Sequence, residues 1–496
     1  MRGFSVGGVE RFLGIPYAAA PVGPLRWRPP QPARRWRGVR MAVRLPPACP
    51  QEANSSGPRS VTEGCLFLSV YRPARVSAGA RLPVFFWVHG GGLTSGSGNQ
   101  FDGALLAKTD RIVVVSINYR LGVLGFFALP SPSAGGRGRV AGDFGLLDQE
   151  AALRWTYRNI AAFGGDRRAI TIGGESSGGE SVCALMTSPA VRGLFARAVI
   201  QSGSCASAAL AAAEQQAAQI AAAAGCVEQA TAPECLRSKT TAELLAAAAQ
   251  VYARGVLPIA GVPGLPVAPA SVIASGAFAR VPLLIGTNHD EGRSFTQMFA
   301  QLPESAYAPI VQQFYGANAP QVLARYPWSA FPHPYTASYA LGAIWTDSGF
   351  IAGIGGCPAQ RLEQRFRALT STYAYQFDDR HATGGPVPGL PGYRWGAAHS
   401  LELAYMWPSV GDGALYAHLT PAQRVLSDEM VQAWGAFIRS GKPSSHGLPP
   451  WPSYRTGYMM SLRPGGASTT ISDRQFAAEH LCNFWDSPRP RSANGD

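Results

Sequence analysis

The sequence predicts an α/β fold with a mainly parallel central sheet that is covered by helices on both faces. Short β-rich apolar runs alternate along the chain with segments whose apolar residues recur at helical spacing, and this alternation is typical of parallel sheets. The segment 146–160 is the clearest intervening helix. The clearest strands are 84–88 and 112–117, followed by 169–172, 198–201, 283–285 and 372–377.

Length and composition favour one large folded domain. The chain has 496 residues, of which 46% are hydrophobic and 15% are charged, so disorder and a small disulfide scaffold are both poor descriptions. No internal repeat and no Gly/Ser linker is visible. We therefore predict a single domain over residues 1–486 and a flexible C-terminal tail at 487–496, which is rich in Pro, Arg and Ser.

Three segments interrupt the alternation of strands and helices. Two are alanine-rich helical patterns at 206–224 and 242–252, and the third is an aromatic and proline-rich stretch at 299–339. We interpret them as helical insertions that roof a pocket.

The chain is basic, with a formal charge of +13, and 40 of its basic residues are arginine. These arginines are scattered, apart from a loose cluster within 34–44, and no nucleic-acid-binding motif accompanies them. We expect a plain basic surface and no nucleic-acid partner. The alternative is a surface that steers anionic substrates or attaches to an acidic surface. No run of about 18 apolar residues predicts a transmembrane segment, and the start of the sequence shows no secretory signal.

A nucleophilic serine is indicated by the segment 171–179, TIGGESSGG. A β-branched strand runs into a G-x-S-x-G pattern and a helix follows, which is the arrangement of a nucleophile elbow. Glycines permit the tight turn that lifts the Ser176 hydroxyl clear of the sheet. Taken alone, the pattern is also compatible with a glycine-rich turn that has no catalytic role.

An oxyanion-binding loop is indicated by the segment 86–92, FWVHGGG. Three glycines follow a buried strand directly, so their backbone amides can turn toward a bound carbonyl oxygen without obstruction by side chains. A flexible loop is the alternative explanation. Since two independent motifs occur at the expected places in the strand order, the sequence predicts Ser176 as a nucleophile.

A serine nucleophile needs a base that accepts its proton and an acid that orients the base. Among the eight histidines, His399 lies in a glycine-marked loop downstream of the last predicted strand, although a solvated loop histidine fits this context equally.

Two carboxylates, Asp290 and Glu291, follow the strand 283–285 at its carboxyl end, where functional residues of α/β sheets concentrate. Because they are sequence neighbours, only one can face the histidine. Asp378 and Asp379 are competing strand-end carboxylates.

Together with further segments, these motifs resemble the type-B carboxylesterases, an α/β-hydrolase family that includes cholinesterases, bile-salt-activated lipases and bacterial para-nitrobenzyl esterases. The resemblance extends from about Phe12 to Trp485 and is closest in character to the para-nitrobenzyl-type esterases. The further segments are GIPYA at 14–18, PVGPLR at 21–26, EGCLFL at 63–68, NYRLG at 118–122 and GLLDQ at 145–149.

The resemblance implies a Ser-Glu-His triad in that chain order. Ser176 would be the nucleophile, Glu291 the acid and His399 the base. The implied oxyanion hole consists of three backbone N–H groups, those of Gly91, Gly92 and Ser177.

Two further residues gain a role by the same resemblance. Ser202 would support the triad residues without itself contacting the substrate, and Glu175 would line the pocket beside the nucleophile. The implied structural ion pairs are Arg26 with Glu63 and Arg120 with Asp148.

The chain departs from the family pattern at three positions. Gly64 stands where aspartate is common, Ser177 replaces the usual alanine, and Gly173 replaces a frequent aromatic or aliphatic residue. None of these changes removes a catalytic group. Residues 49–65 contain no tryptophan, so a quaternary-ammonium substrate held by cation–π contact is not expected.

The sequence therefore predicts a serine carboxylesterase that hydrolyses small-molecule esters through an acyl-enzyme. The alternatives are a lipase that acts on aggregated lipid esters, or a non-catalytic cholinesterase-like binding protein. We expect no cofactor and no metal, because the chain has no zinc-type spacing and no phosphate-binding loop with its lysine. The natural substrate, the acyl and alcohol preferences and the oligomeric state are not indicated.

The resemblance also implies disulfides. The family's positions correspond to Cys49 with Cys65, Cys226 with Cys235, and Cys357 with Cys482. Cys183 and Cys205 remain, either as a fourth pair or with Cys183 as a buried free thiol. Disulfides indicate an oxidising, extracellular compartment, with a cytoplasmic protein as the alternative. Because no signal peptide is visible, we expect the true start to lie upstream or the chain to be truncated.

Overall fold

The computed structural model of the chain describes residues 1–54, 56–77, 79–130, 140–228, 231–252, 255–385 and 387–487. The predicted tail at 487–496 lies outside this part, apart from its first residue. The strands are β1 Phe4–Val6, β2 Val9–Pro16, β3 Phe67–Pro73, β4 Leu82–Val88, β5 Val113–Ile117, β6 Leu129–Pro130, β7 Val140–Ala141, β8 Gly165–Glu175, β9 Arg197–Gln201, β10 Ala208–Ala209, β11 Ile259–Ala260, β12 Leu283–Asn288, β13 Thr372–Phe377, β14 Tyr458–Leu462 and β15 Thr469–Ser472.

Helices occupy most of the segments between the strands. None of the helices in the described ranges is both long and apolar enough to cross a bilayer. They are α1 Ala104–Asp110, α2 Gly122–Gly125, α3 Phe144–Asn159, α4 Ser177–Thr187, α5 Leu210–Ala223, α6 Ala232–Ser238, α7 Thr241–Ala249, α8 Pro269–Ala274, α9 Glu304–Tyr315, α10 Ala319–Arg325, α11 Thr336–Ser348, α12 Gly356–Arg367, α13 Leu403–Met406, α14 Ala414–Ala417, α15 Pro421–Ser440, α16 Asp473–Glu479 and α17 Cys482–Trp485.

The described chain forms two compact units. The first unit contains residues 1–284, 407–409 and 431–444, and the second unit contains the remaining described residues from 285 onward. The single domain over 1–486 stays a prediction.

The sheet of the first unit has the strand order β1-β2-β3-β5-β4-β8-β9. The strands β1, β2 and β3 pair antiparallel, and β3 is also antiparallel to β5, whereas β5, β4, β8 and β9 run parallel. All five residues of β5 are buried, as expected for a parallel strand that is covered on both faces. In the register of β4 and β8, Val88 lies opposite Gly174. The loop after β4 therefore lies beside the turn after β8.

In the second unit, β13 and β14 are parallel and β14 and β15 are antiparallel. All residues of β12 and β13 are buried. The 3₁₀-helix Glu291–Phe295 begins shortly after the carboxyl end of β12. The predicted acid region is thereby placed at a strand end, as the sequence indicated.

The segments predicted as insertions form helices. In the first unit, α5 and α7 share an apolar cluster that includes Ile220 and Leu244. In the second unit, α9, α10 and α11 pack through Val311, Val322 and Trp345. The helix predicted from residue 206 begins only at 210, because 208–209 pair with 259–260 as β10 and β11.

Four disulfides are present. The structure pairs Cys49 with Cys65, Cys226 with Cys235, and Cys357 with Cys482, and it also joins Cys183 to Cys205. The Cα separations of 5.0–5.7 Å lie in the ordinary range for such bridges. Of the two alternatives for Cys183, the structure therefore contains the disulfide and not the free thiol.

The bridge between Cys357 and Cys482 is expected to contribute most to stability among the four, because it closes a loop of 125 residues. Chain entropy predicts a loss of about 5 kcal/mol when both cysteines are replaced by serine, against about 2.5 kcal/mol for the same change at Cys226 and Cys235, which are separated by 9 residues. Urea unfolding of both double variants measures the difference. Equal losses would contradict the chain-entropy account.

Glu363 on α12 is completely buried. Burial raises the pKa of its carboxyl well above the ordinary value of about 4.5, and the charge of Asp473 raises it further, while Tyr454 and Arg367 lower it by less. As the pH rises above about 4.5, the carboxyl ionises in the unfolded chain but stays protonated in the folded one. The free energy of unfolding should therefore fall as the pH rises from 4.5 toward the folded-state pKa.

We expect the Glu363→Gln variant to lose this pH dependence, because the amide does not ionise. Its stability relative to the wild type should increase by up to about 1.4 kcal/mol for each pH unit above 4.5. Urea unfolding at several pH values between 4.5 and 7.5 measures this, with Glu234→Gln at an exposed position of α6 as the control. If the free energy of unfolding depends on pH in the same way in the wild type and in Glu363→Gln, the carboxyl does not titrate as described.

Candidate active site

Ser176 lies in the turn that connects β8 to α4. Its backbone has φ 57° and ψ −128°, which is a strained conformation for a residue with a Cβ. The turn is held by a hydrogen bond from the Ser176 N–H to the carbonyl of Gln201, at 2.9 Å. A strained strand-to-helix turn of this kind presents the serine hydroxyl at the edge of the sheet.

Glycines are required around this turn because backbone segments approach each other closely. A Cβ on Gly174 would lie 2.4 Å from the carbonyl oxygen of Gly178, and a Cβ on Gly178 would lie 2.2 Å from the carbonyl oxygen of Val88. The first turn of α4 therefore packs at backbone distance against the ends of both β8 and β4.

One departure from the family pattern has a structural reason in the sheet. A Cβ on Gly173 would lie 2.4 Å from the ring of Phe85 on the neighbouring strand β4. The phenylalanine ring thus fills the space in which a larger side chain at position 173 would lie.

The loop formed by residues 90–92 follows β4, and its carbonyl groups accept hydrogen bonds. The Gly91 carbonyl accepts hydrogen bonds from the N–H of Thr94 and from both the N–H and the hydroxyl of Ser95, at 3.0–3.1 Å. In the described part of the chain, the N–H groups of Gly91 and Gly92 have no hydrogen-bond acceptor. These two amides are therefore available to bind an oxygen atom, as an oxyanion hole requires.

His89 precedes this loop and is buried. Burial lowers the pKa of its imidazole to about 4, although a hydrogen bond with the Gly90 carbonyl opposes the shift. The ring is therefore neutral at pH 7, and Nδ1–H donates to the Gly90 carbonyl at 2.8 Å. His89 thus holds the loop and does not act as a proton acceptor at neutral pH.

Glu175 and Ser202 lie in the same region of the first unit, and both are buried. A Cβ on Gly90 would lie 2.9 Å from a carboxylate oxygen of Glu175 and 3.0 Å from Cβ of Ser176. Ser202 directly follows β9 and has φ 46°. The structure therefore brings the loop at 90–92, Glu175 and Ser176 together in the first unit.

The candidate base and acid lie in the second unit and are bonded to each other. Nδ1 of His399 is 2.5 Å from Oε2 of Glu291, and both side chains are buried. Oε1 of Glu291 accepts hydrogen bonds from the Thr287 hydroxyl at 2.8 Å and from the Asn288 N–H at 2.7 Å. The carboxylate is therefore fixed through both oxygens.

Asn288 is a positioning residue that the sequence reasoning did not identify. Its side-chain amide donates to the carbonyl of Ala398 at 2.8 Å and to the carboxylate of Glu402 at 2.7 Å. The carbonyl of His399 accepts a hydrogen bond from the Ser294 hydroxyl at 3.0 Å. Asn288 thus connects the turn that carries the acid to the loop that carries the base. Its position at the end of a buried strand, three residues before Glu291, could have indicated this role from the sequence.

Asp290 faces different partners from those of its neighbour. Its carboxylate lies 2.9 Å from the guanidinium groups of both Arg293 and Arg380, and it accepts a hydrogen bond from the Ala397 N–H at 2.9 Å. Burial raises its pKa, but the imidazole of His289, 3.6 Å away, and the charges of the two arginines outweigh burial and lower the pKa well below its usual value. Asp290 is therefore a permanently ionised structural carboxylate.

The competing carboxylates after β13, those of Asp378 and Asp379, form hydrogen bonds with other residues. Asp378 accepts hydrogen bonds from Ser461 at 3.0 Å and from Arg463 at 2.8 Å. Asp379 accepts one from Gln423 at 2.8 Å. None of these three bonds involves His399.

Both predicted ion pairs are present in the first unit. Arg26 forms a bidentate pair with Glu63, with one N–O separation of 2.9 Å. Arg120 and Asp148 form two hydrogen bonds of 2.7 Å and are buried. A buried bidentate pair costs several kcal/mol to disrupt by removing one partner, so these pairs fix the loops that they connect.

Comparison with known proteins identifies the family. A sequence model described as the carboxylesterase family matches residues 1–485. Liver carboxylesterase 1 of Mus musculus is 33% identical, and the alignment covers 99% of this chain and 91% of that protein. The fumonisin B1 esterase of Sphingopyxis macrogoltabida is 34% identical, with 92% and 84% covered.

Solved structures agree with the sequence relatives. The carboxylesterase of Geobacillus stearothermophilus matches with a TM-score of 0.81 and 33% identity over 97% of both chains. A PNB esterase matches with a TM-score of 0.77 and 30% identity, covering 96% of this chain and 97% of its own. These matches confirm the predicted α/β-hydrolase fold. The chain belongs to the carboxylesterase family and is a carboxylic ester hydrolase.

Proposed function

We propose that Ser176, His399 and Glu291 form the catalytic triad of this esterase. The observation that carries the proposal is the strained turn at Ser176, which lies beside a loop with two available amides. The buried pair of His399 and Glu291 supplies the other two groups that a serine nucleophile needs.

The proposed reaction has two steps. His399 takes the proton from the Ser176 hydroxyl as its oxygen bonds to the ester carbonyl carbon, and the amides of Gly91, Gly92 and Ser177 stabilise the resulting oxyanion. The bond to the alcohol then breaks, and the alcohol leaves with the proton from His399. Water attacks the acyl-enzyme in the same way, which releases the acid and restores the serine.

Glu291 stabilises the imidazolium that forms in each step. Because its carboxylate accepts from Nδ1–H of His399, the other ring nitrogen, Nε2, is the one that exchanges protons with substrate. The rate should rise with pH as the ring of His399 loses its proton and becomes able to accept the proton of Ser176.

Stoichiometric labelling tests the proposal. A para-nitrophenyl organophosphate should release one equivalent of para-nitrophenol per chain and abolish esterase activity in proportion. Peptide mapping should locate the phosphoryl group on Ser176. An active enzyme labelled at another residue, or not labelled at all, would overturn the assignment.

We propose that the substrates are dissolved small-molecule esters. Relatives named cocaine esterase, from Homo sapiens, and fumonisin B1 esterase support this class. The alternative is a lipase, which gains rate at a lipid–water interface. Hydrolysis of tributyrin below and above its solubility limit distinguishes the two, since an esterase saturates below the limit. A sharp rise in rate above the limit would overturn this proposal and favour the lipase.

We propose an extracellular location, with which the four disulfides are compatible. Alkylating the thiols in intact producing cells and their medium tests it. The secreted protein should carry no modified cysteine. A protein retained in the cytoplasm with modified cysteines would contradict the proposed location.

A further inference from the structure

Ser177 is the first residue of α4, and its side-chain hydroxyl is buried. It accepts a hydrogen bond from the N–H of Leu93 at 3.1 Å. Leu93 is the residue that directly follows the three glycines of the loop. The first residue of α4 is thereby tied to the end of the loop that supplies the other two oxyanion amides.

Leu93 has a conformation that needs such support. Its backbone lies in the left-handed region with φ 57°, which is uncommon for any residue other than glycine. The leucine side chain is buried. Its carbonyl accepts a hydrogen bond from the Gly122 N–H at 2.7 Å. Both polar groups of this strained residue are therefore bonded, one of them to Ser177. Strained conformations persist where the surroundings fix them in this way.

The beginning of the loop is held by a different side chain, that of Tyr119. The Tyr119 hydroxyl donates to the carbonyl of His89 at 2.7 Å, and the two rings stack with their centres 4.4 Å apart. The Ser177 hydroxyl accepts from Leu93, so the loop is held at its beginning by Tyr119 and at its end by Ser177.

We propose that the Ser177 side chain is a positioning residue for the oxyanion hole, a role distinct from that of its backbone amide. Through its hydroxyl, the residue that supplies the third amide holds the end of the loop that supplies the first two. The hydroxyl therefore fixes the separation between the Ser177 amide and those of Gly91 and Gly92. This inference rests on the proposed function and concerns the side chain alone, since an alanine would keep the amide and lose this bond.

The Ser177→Ala variant tests the inference, because it keeps the backbone amide and removes only the hydroxyl. We expect kcat for para-nitrophenyl acetate to fall about tenfold with KM changed less than twofold, since amides aimed at an oxyanion act mainly in the transition state. Affinity for a trifluoromethyl ketone, which forms a tetrahedral oxyanion adduct with the serine, should fall by a similar factor. A hydroxyl with only a structural role would lower stability without this selective loss.

Ser181→Ala is the matched control. Ser181 lies one turn further along α4, is equally buried, and accepts a hydrogen bond from Gln149 at 3.0 Å, far in sequence from the glycine loop. Its removal should leave kcat and inhibitor affinity within twofold of the wild type. If Ser177→Ala does not fold, Ser177→Cys replaces it in both measurements, because a thiol fills the same space but is only a weak hydrogen-bond acceptor.

A kcat and an inhibitor affinity within twofold of the wild type in the folded Ser177→Ala variant would overturn the inference. That outcome differs from failure of the proposed function, in which the wild type itself is not labelled at Ser176.

Discussion

Replacing Ser176 by alanine is expected to lower kcat for para-nitrophenyl acetate by about a million-fold, as removal of a triad nucleophile does elsewhere. The alanine methyl group cannot form the acyl-enzyme, so only the oxyanion amides and substrate binding remain to accelerate attack by water. Steady-state kinetics and the absence of a para-nitrophenol burst would establish the loss. Binding of a non-hydrolysable ester analogue should be nearly unchanged.

Ser181→Ala, in the same helix, serves as the control for this measurement because it removes a buried hydroxyl away from the turn. The Ser176→Ala variant must also unfold in urea close to the wild-type midpoint. Relief of the strained turn is not expected, since alanine has the same Cβ. Residual activity above about 1% in a homogeneous, folded preparation would mean that another residue attacks the ester.

The second large effect is expected for Glu291→Gln, which should lower kcat by about 10⁴-fold. Both carboxylate oxygens of Glu291 accept hydrogen bonds, one from His399 and the other from Thr287 and the Asn288 N–H. A glutamine has only one accepting oxygen, so its amide must face a donor on one side. If it faces His399, Nδ1 becomes the acceptor, Nε2 carries the proton, and the ring can no longer accept the proton of Ser176.

Asp290→Asn is the matched control, since it makes the same chemical change at the adjacent residue. Asp290 contacts Arg293 and Arg380 and not His399, so its neutralisation should lower the urea midpoint more than kcat. The two variants should therefore differ in kind: Glu291→Gln should mainly lower kcat, and Asp290→Asn should mainly lower the urea midpoint. A larger loss of kcat at 290 than at 291 would reverse the assignment of the acid.

The sequence was sufficient to locate most of the parallel strands along the chain and the residues that lie at their ends. Runs of β-branched residues such as 113–117 mark buried strands, and both glycine motifs follow such runs. The antiparallel strands β1, β2 and β3 were less visible. β1 is short and exposed, and β2 has mixed burial, so neither carries a continuous apolar run.

Contacts between side chains were the least predictable part of the site. Asp290 and Glu291 have the same charge and adjacent positions, and only the placement of Arg293, Arg380 and His399 decides which of the two faces the base. The role of Asn288 depends on a loop more than 100 residues further along the chain. The Cys183–Cys205 bridge likewise depends on how α4 packs near the end of β9, which no local pattern specifies.

The contact between Gly173 and Phe85 has a consequence for the evolution and engineering of the enzyme. The two positions share one volume across adjacent strands, so a larger residue at 173 fits only when residue 85 becomes smaller. Variant libraries that randomise either position alone should yield mostly inactive clones, whereas libraries that vary both should recover size-compensated pairs. Amino acid choice at these two sites is therefore expected to covary among descendants of this chain.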